Sequence, residues 1–295
     1  MLKRVLYFGN PAQLRVKDLQ LRILRPEQDE ITAPIEDIGY IILDHYGVTI
    51  SHHALAELLA NNVAVITTDQ THMPAGLFLP LAGNTEQGGS FRAQLEAPDT
   101  LKKQLWQQTI KAKIRNQANL LDQVGITGHP LKSMLRYVYS DDSANQEGAA
   151  AKAYWQLLFD PVRFRRHRYG EPPNNLFNYG YAILRGVVAR ALCGAGLLPM
   201  LGIHHRNRNN AFPLADDIME PYRPFVDELV WRMVQDEPEI DDLTPDLKKQ
   251  LLEIPSLGVT IKGQARPLYL AAAQTAASLK RCYMDEEKTL SYPVL

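Results

Sequence analysis

Residues 1–82 alternate apolar and polar positions in short runs, the rhythm of half-buried strands. The clearest runs are 5–8, 13–16, 19–24, 40–43, 48–50 and 63–67, with one helical stretch at 53–60. They predict a small β-rich N-terminal domain built as a sandwich. Residues 83–98 carry Gly83, Gly88, Gly89 and several polar side chains, a composition that predicts a linker. From residue 99 onward the spacing turns helical. Asp99 or Thr100 can cap a helix reaching about Leu121, Ser143 with Gln146 forms a capping-box pattern that would open a helix carrying Glu147, and 177–193, 216–223 and 266–283 read as further helices. The fold class expected is α+β, an N-terminal β-sandwich followed by a larger all-α domain over 99–295.

Composition changes this picture little. The chain has 295 residues, 45% of them hydrophobic and 22% charged, so it can bury a core unaided and disordered or fibrous classes drop out. Its two cysteines, Cys193 and Cys282, lie far apart without metal-site spacing. A reducing compartment follows, and the N-terminus lacks the features of a signal peptide, so a cytoplasmic protein with no membrane segment is expected. The formal net charge is -1, so any contact with nucleic acid must come from local basic patches.

The segment richest in chemistry runs from Gly202 through His204 and His205 to Pro213, Asp216, Asp217 and Glu220, ending Pro221-Tyr222-Arg223-Pro224. On a helix Glu220 shares a face with either aspartate, at i,i+3 from Asp217 or i,i+4 from Asp216. Carboxylates with one imidazole suit Mg²⁺ or Mn²⁺ better than zinc. Carboxylates at this spacing are also what a solvated helix face carries, so the segment alone leaves both readings open.

Joined motifs narrow the choice. Gly202-x-x-His205 followed by Asp217-Ile218-Met219-Glu220-Pro221-Tyr222-Arg223-Pro224 resembles the signature of the CRISPR-associated protein 1 family, the catalytic subunit of the spacer integrase. Asn174 to Tyr181, Gly196 to Gly202 and Glu147-Gly148 with its alanine run resemble that family's other motifs, and 4–8, 35–43 and 51–67 resemble its β-domain. The resemblance implies a metal site of Glu147, His205 and Glu220, with Asp217 as an auxiliary carboxylate. It further implies Mg²⁺ or Mn²⁺ as cofactor, DNA as substrate, a homodimer, a small CRISPR-associated partner subunit, and joining of DNA 3′-hydroxyl ends by transesterification. Two departures stand out: Pro213 replaces a serine of many relatives, and His204 sits beside His205.

For DNA contacts the sequence offers Arg163, Arg165, Arg166 and Arg168 in one run, interleaved with Phe164 and Tyr169, and Arg206 and Arg208 beside the proposed ligand. Trp106, Trp155 and Trp231 read as packing anchors. Three rivals remain: a non-haem iron oxygenase, disfavoured because adjacent histidines seldom aim at one metal; a nuclease cutting branched DNA; and a DNA-binding assembly scaffold.

Overall fold

The computed structural model describes residues 3–159, 164–167, 169–205, 207–237 and 240–295. The chain divides into two compact units, one ending at Thr85 and the other beginning at Glu86.

The first unit holds two four-stranded sheets. One has β1 (Arg4–Phe8), β5 (Ile38–Leu43), β7 (Ala64–Thr68) and β8 (Pro74–Phe78) in the order β1-β5-β7-β8. The other has β2 (Ala12–Lys17), β3 (Gln20–Leu24), β4 (Ile31–Pro34) and β6 (Val48–Ile50) in the order β4-β3-β2-β6. Pairing of β1 with β5 and of β5 with β7 is parallel. Such pairs need a crossover, and between β5 and β7 it consists of β6 and α1 (His52–Ala60), a helix capped by Ser51 Oγ accepting from Ala54 N at 3.1 Å. β5 is central and apolar throughout, with its first five residues buried. Leu14 and Leu21 of one sheet, Ile41 and Val65 of the other, and Leu58 of α1 share one hydrophobic core.

β4 and β8 escape a periodicity reading because each is a short run with only partial burial. The strand expected at 19–24 begins instead at Gln20. Asp18 and Leu19 both have positive φ, 52° and 56°, and form the two-residue turn joining β2 to β3.

The second unit contains α2 (Gln87–Glu96), α3 (Asp99–Gln123), α4 (His129–Met134), α5 (Gln146–Leu158), α6 (Asn174–Gly194), α7 (Pro213–Met219), α8 (Arg223–Asp236), α9 (Pro245–Leu251) and α10 (Leu268–Tyr283). Helix α2 occupies the segment whose glycines suggested a linker. Its Gln94 is buried, and the side-chain amide bonds Leu198 and Leu201 carbonyls and the Leu198 N–H, a tertiary contact that composition does not reveal.

The unit is also not all helical. β9 (Gly258–Ile261) and β10 (Gln264–Pro267) form a hairpin around Lys262 and Gly263, both at positive φ. The closing helix therefore starts at Leu268 rather than 266. Helices α3 and α6 carry more buried residues than the other helices, 12 and 14 among those described, and α3 presents Lys113 to the site.

Candidate metal and phosphate site

Glu147 lies in the first turn of α5, and the cap there is not the one the sequence suggests. Asp141, Asp142 and Asn145 all take left-handed conformations. The chain consequently turns so that the Asp142 carboxylate, rather than Ser143, accepts the N–H groups of Gln146 and Glu147, each at 2.9 Å. Glu147 is thereby pinned by its own backbone.

Glu220 opens the short 3₁₀ turn Glu220–Tyr222 between α7 and α8 and is buried. The two carboxylates meet at one atom. Lys113 Nζ, on the buried face of α3, lies 2.6 Å from Glu147 Oε1 and 2.6 Å from Glu220 Oε2. Arg223 Nε donates to the other Glu220 oxygen at 2.9 Å.

Burial alone would raise the Glu220 pKa, but Arg223 and Lys113 outweigh it and hold it at about 2. Burial likewise works against the Lys113 charge, yet Glu220 and Glu147 raise its pKa on balance. Both groups are charged at neutral pH. Unlike the Glu220 oxygens, the buried Gln117 Oε1 has no hydrogen-bond partner among the described residues. Both residues line a cavity of about 300 Å³ together with Lys113, Glu147, Arg166 and Arg223.

His205 approaches from the loop before α7. Asp217, with no exposed side-chain surface, accepts from the N–H groups of Ile203 at 2.7 Å, His204 at 3.0 Å and His205 at 3.2 Å, and also bonds His205 Nδ1. That contact, more than opposing burial, raises the His205 pKa, and Glu220 and Glu147 add to it. Nδ1 being engaged, Nε2 is the ring nitrogen left to act as a ligand. Gly202 is required for this loop: a Cβ there would meet His205 O at 2.5 Å and Asp217 Oδ2 at 2.9 Å.

Pro213 is the first residue of α7, where a missing N–H costs nothing. His204 stacks on Trp106 with ring centroids 4.2 Å apart and planes 2° from parallel, and lies 3.4 Å from Asp141. Asp216, the other helix-face candidate, is bound by Arg185 at 2.6 and 3.0 Å and by Asn210 at 2.8 Å.

A model of the family described as CRISPR associated protein Cas1 matches residues 5–254. The chain belongs to the Cas1 family. It is 33% identical, over 99% of its length and 96% of the relative's, to a CRISPR-associated endonuclease Cas1 of Neisseria meningitidis serogroup C. Its fold is shared with a casposase bound to integration product, at TM-score 0.80 and 18% identity over 98% of this chain and 92% of that one. A Cas6-RT-Cas1–Cas2 complex shares it at TM-score 0.73 and 20% identity over 97% of this chain and 35% of the larger one.

In this Cas1 chain the residues singled out by the sequence have the chemistry of a hard-cation site: two carboxylates, both drawn to one positive charge, and an imidazole nitrogen. Their arrangement is less open. Among the described residues no three His, Cys, Asp or Glu side chains are grouped to hold a metal, and the point between Glu147 and Glu220 is taken by the Lys113 ammonium. His205 lines a second cavity, of about 390 Å³, with Lys102 and Arg208. The sequence reading missed Lys113 altogether.

The basic run divides. Arg163, Arg168 and Arg206 lie outside the described residues. Arg165 is exposed, whereas Arg166 donates to Asn174 at 2.9 Å and Asn178 at 2.8 Å and lies over the Tyr181 ring. Phe164 is not a base-stacking platform: it is buried against Trp155, Phe159 and Phe177. Tyr169 remains 82% exposed and so can meet a partner.

Proposed function

We propose that this chain is a metal-dependent DNA integrase of CRISPR adaptation, joining 3′-hydroxyl ends of captured DNA to the repeat array by transesterification. That it is a nuclease enzyme follows from its membership of the Cas1 family. The observation that carries the finer reading is the convergence of Glu147 and Glu220, from two separate elements, on one cationic point in a cavity that Arg166 and Arg223 also line.

Glu147, His205 through Nε2, and Glu220 would hold Mg²⁺ or Mn²⁺. The bound ion would supply Lewis-acid stabilisation of charge on phosphate oxygens. Asp217 fixes the His205 ring and its tautomer. Arg223 and Arg166 offer positive charge to a phosphate entering the cavity, and Arg165 and Arg208 extend that charge outward. A 3′-hydroxyl held in line then attacks the phosphorus, and the displaced strand leaves through its own 3′ oxygen, so neither ATP nor a covalent enzyme intermediate is needed.

The reading extends to the assembly. A homodimer acting with a small partner subunit in the cytoplasm is proposed, supported by the Cas1–Cas2 complex that shares this fold. No helix among the described residues is long and apolar enough to cross a membrane. The first unit, with its two sheets on one core, is proposed as the sandwich domain, and the second as the catalytic one.

The test combines the protein, its small partner, Mg²⁺, a fragment with 3′-hydroxyl ends and a plasmid carrying a CRISPR array. Joined product that disappears with a chelator or with 3′-deoxy ends is expected. Joining with blocked ends would exclude transesterification, and cutting without joining would favour a nuclease of branched DNA.

A further inference from the structure

Lys113 stands where a metal would be expected. Its ammonium is buried and lies 2.6 Å from one oxygen of each carboxylate, while Arg223 lies 2.9 Å from the remaining oxygen of Glu220. Two negative charges are thus matched by two positive ones before any divalent cation arrives. A dication brought to the same oxygens meets an ammonium within roughly 4 Å, and that repulsion is felt even at an effective protein dielectric constant of about 20.

Resting on the metal-dependent reading above, we propose that Lys113 is a built-in competitor of the metal. In the free protein its ammonium holds Glu147 and Glu220 together, and a divalent cation binds tightly only when a DNA phosphate enters the same cavity. Three features support this coupling. The phosphate adds negative charge beside Lys113 and Arg223, turning a neutral cluster into one that attracts a dication. Arg166 lines the cavity and favours entry of an anion. Gln117, one helical turn beyond Lys113 on α3, presents a buried side-chain oxygen without a hydrogen bond to the same cavity, an acceptor available to an ammonium displaced from the carboxylates.

Linkage then requires reciprocity: DNA tightens the metal, and the metal tightens DNA by the same factor. Lys113 is accordingly a positioning residue that makes the site assemble on its substrate.

Mn²⁺ binding, read by electron paramagnetic resonance of the free ion, tests this with the full chain alone and with a short duplex bearing 3′-hydroxyl ends. The wild type should bind Mn²⁺ about tenfold or more tightly with the duplex than without it, and Lys113→Met should reach comparable affinity without DNA. Lys113→Arg, which keeps the charge, should behave as wild type. Lys113→Met should also melt at lower temperature than wild type without metal, and Mn²⁺ should raise its Tm by more. A wild type that binds Mn²⁺ equally with and without DNA overturns the proposal even if Lys113→Met fails to fold. So does a folded Lys113→Met whose Mn²⁺ affinity is unchanged or weaker; in both cases metal binding itself stands. Absence of Mn²⁺ binding in every form, DNA present, removes the metal reading and this inference together.

Discussion

Asp217 binds His205 twice, through the ring Nδ1 and through the backbone N–H, while also accepting from Ile203 and His204. One buried carboxylate therefore shapes the loop and aims the imidazole. Asp217→Asn places an amide N–H against one of these donors. Strand joining should fall about 10- to 100-fold, as for other partners that orient a metal-binding histidine, and Tm should drop. DNA affinity at fixed salt, measured without divalent metal, should hardly change. A variant with normal joining would show that the loop keeps His205 in place without the carboxylate.

Glu147 and Glu220 should respond differently to the same truncation. The Glu147 side chain is 30% exposed, and Glu147→Ala should abolish joining while costing no more than about 1 kcal/mol of stability. Glu220 is 6% exposed, and its removal leaves Lys113 and Arg223 facing each other, so Glu220→Ala should abolish joining and also cost about 3–5 kcal/mol. His205→Ala should be inactive. His204→Ala, which loses only the stack on Trp106 and the Asp141 contact, should be milder. Urea unfolding beside the joining assay separates these effects, and equal stability losses for the two glutamates would contradict the burial argument.

Asp227 supplies a pH dependence. It is buried, accepts from Tyr154 Oη at 2.9 Å and Tyr181 Oη at 2.5 Å, and burial pushes its pKa up to about 6. The folded protein thus holds this proton more tightly than the unfolded chain does. Its contribution to stability is fully present below the unfolded carboxyl pKa of about 4 and is lost as pH rises through the folded value. Glu220 has the opposite sign: with its pKa held at about 2, its contribution is lost only as pH falls below the ordinary carboxylate range. Unfolding free energy of the wild type minus that of Asp227→Asn should therefore decline from about pH 4 to pH 6 and level off above about pH 7. A flat difference would show that Asp227 stays ionised in the fold.

Arg165 and Arg166, equivalent in sequence, should separate in a DNA-binding titration. Arg165 is exposed, so Arg165→Ala should reduce the salt slope of log affinity by about one unit and leave stability unaltered. Arg166→Ala also strips Asn174 and Asn178 of a charged partner and should lower Tm as well. The double variant should lose about one to two units of slope, with little change in sequence preference. An unchanged slope would assign the run to packing.

What the sequence determined by itself was local. Strand alternation before residue 82, helical spacing after 99 and the order Glu147, Gly202, His205, Asp217, Glu220 are readable because each depends on neighbours a few residues apart. Gly202 carries its reason only in three dimensions, where His205 O and Asp217 Oδ2 leave no room for a Cβ. Tertiary structure alone separated adjacent Asp216 and Asp217, one turned to Arg185 and the other to the His205 loop. It moved the cap of α5 to Asp142 through three left-handed residues, and it drew Phe164 into an aromatic cluster with Trp155, Phe159 and Phe177. Above all it brought Lys113 to both carboxylates, 34 residues from one and much further from the other along the chain. No spacing rule reports such a meeting, because it is set by how α3 packs against two other elements, and packing depends on the whole core.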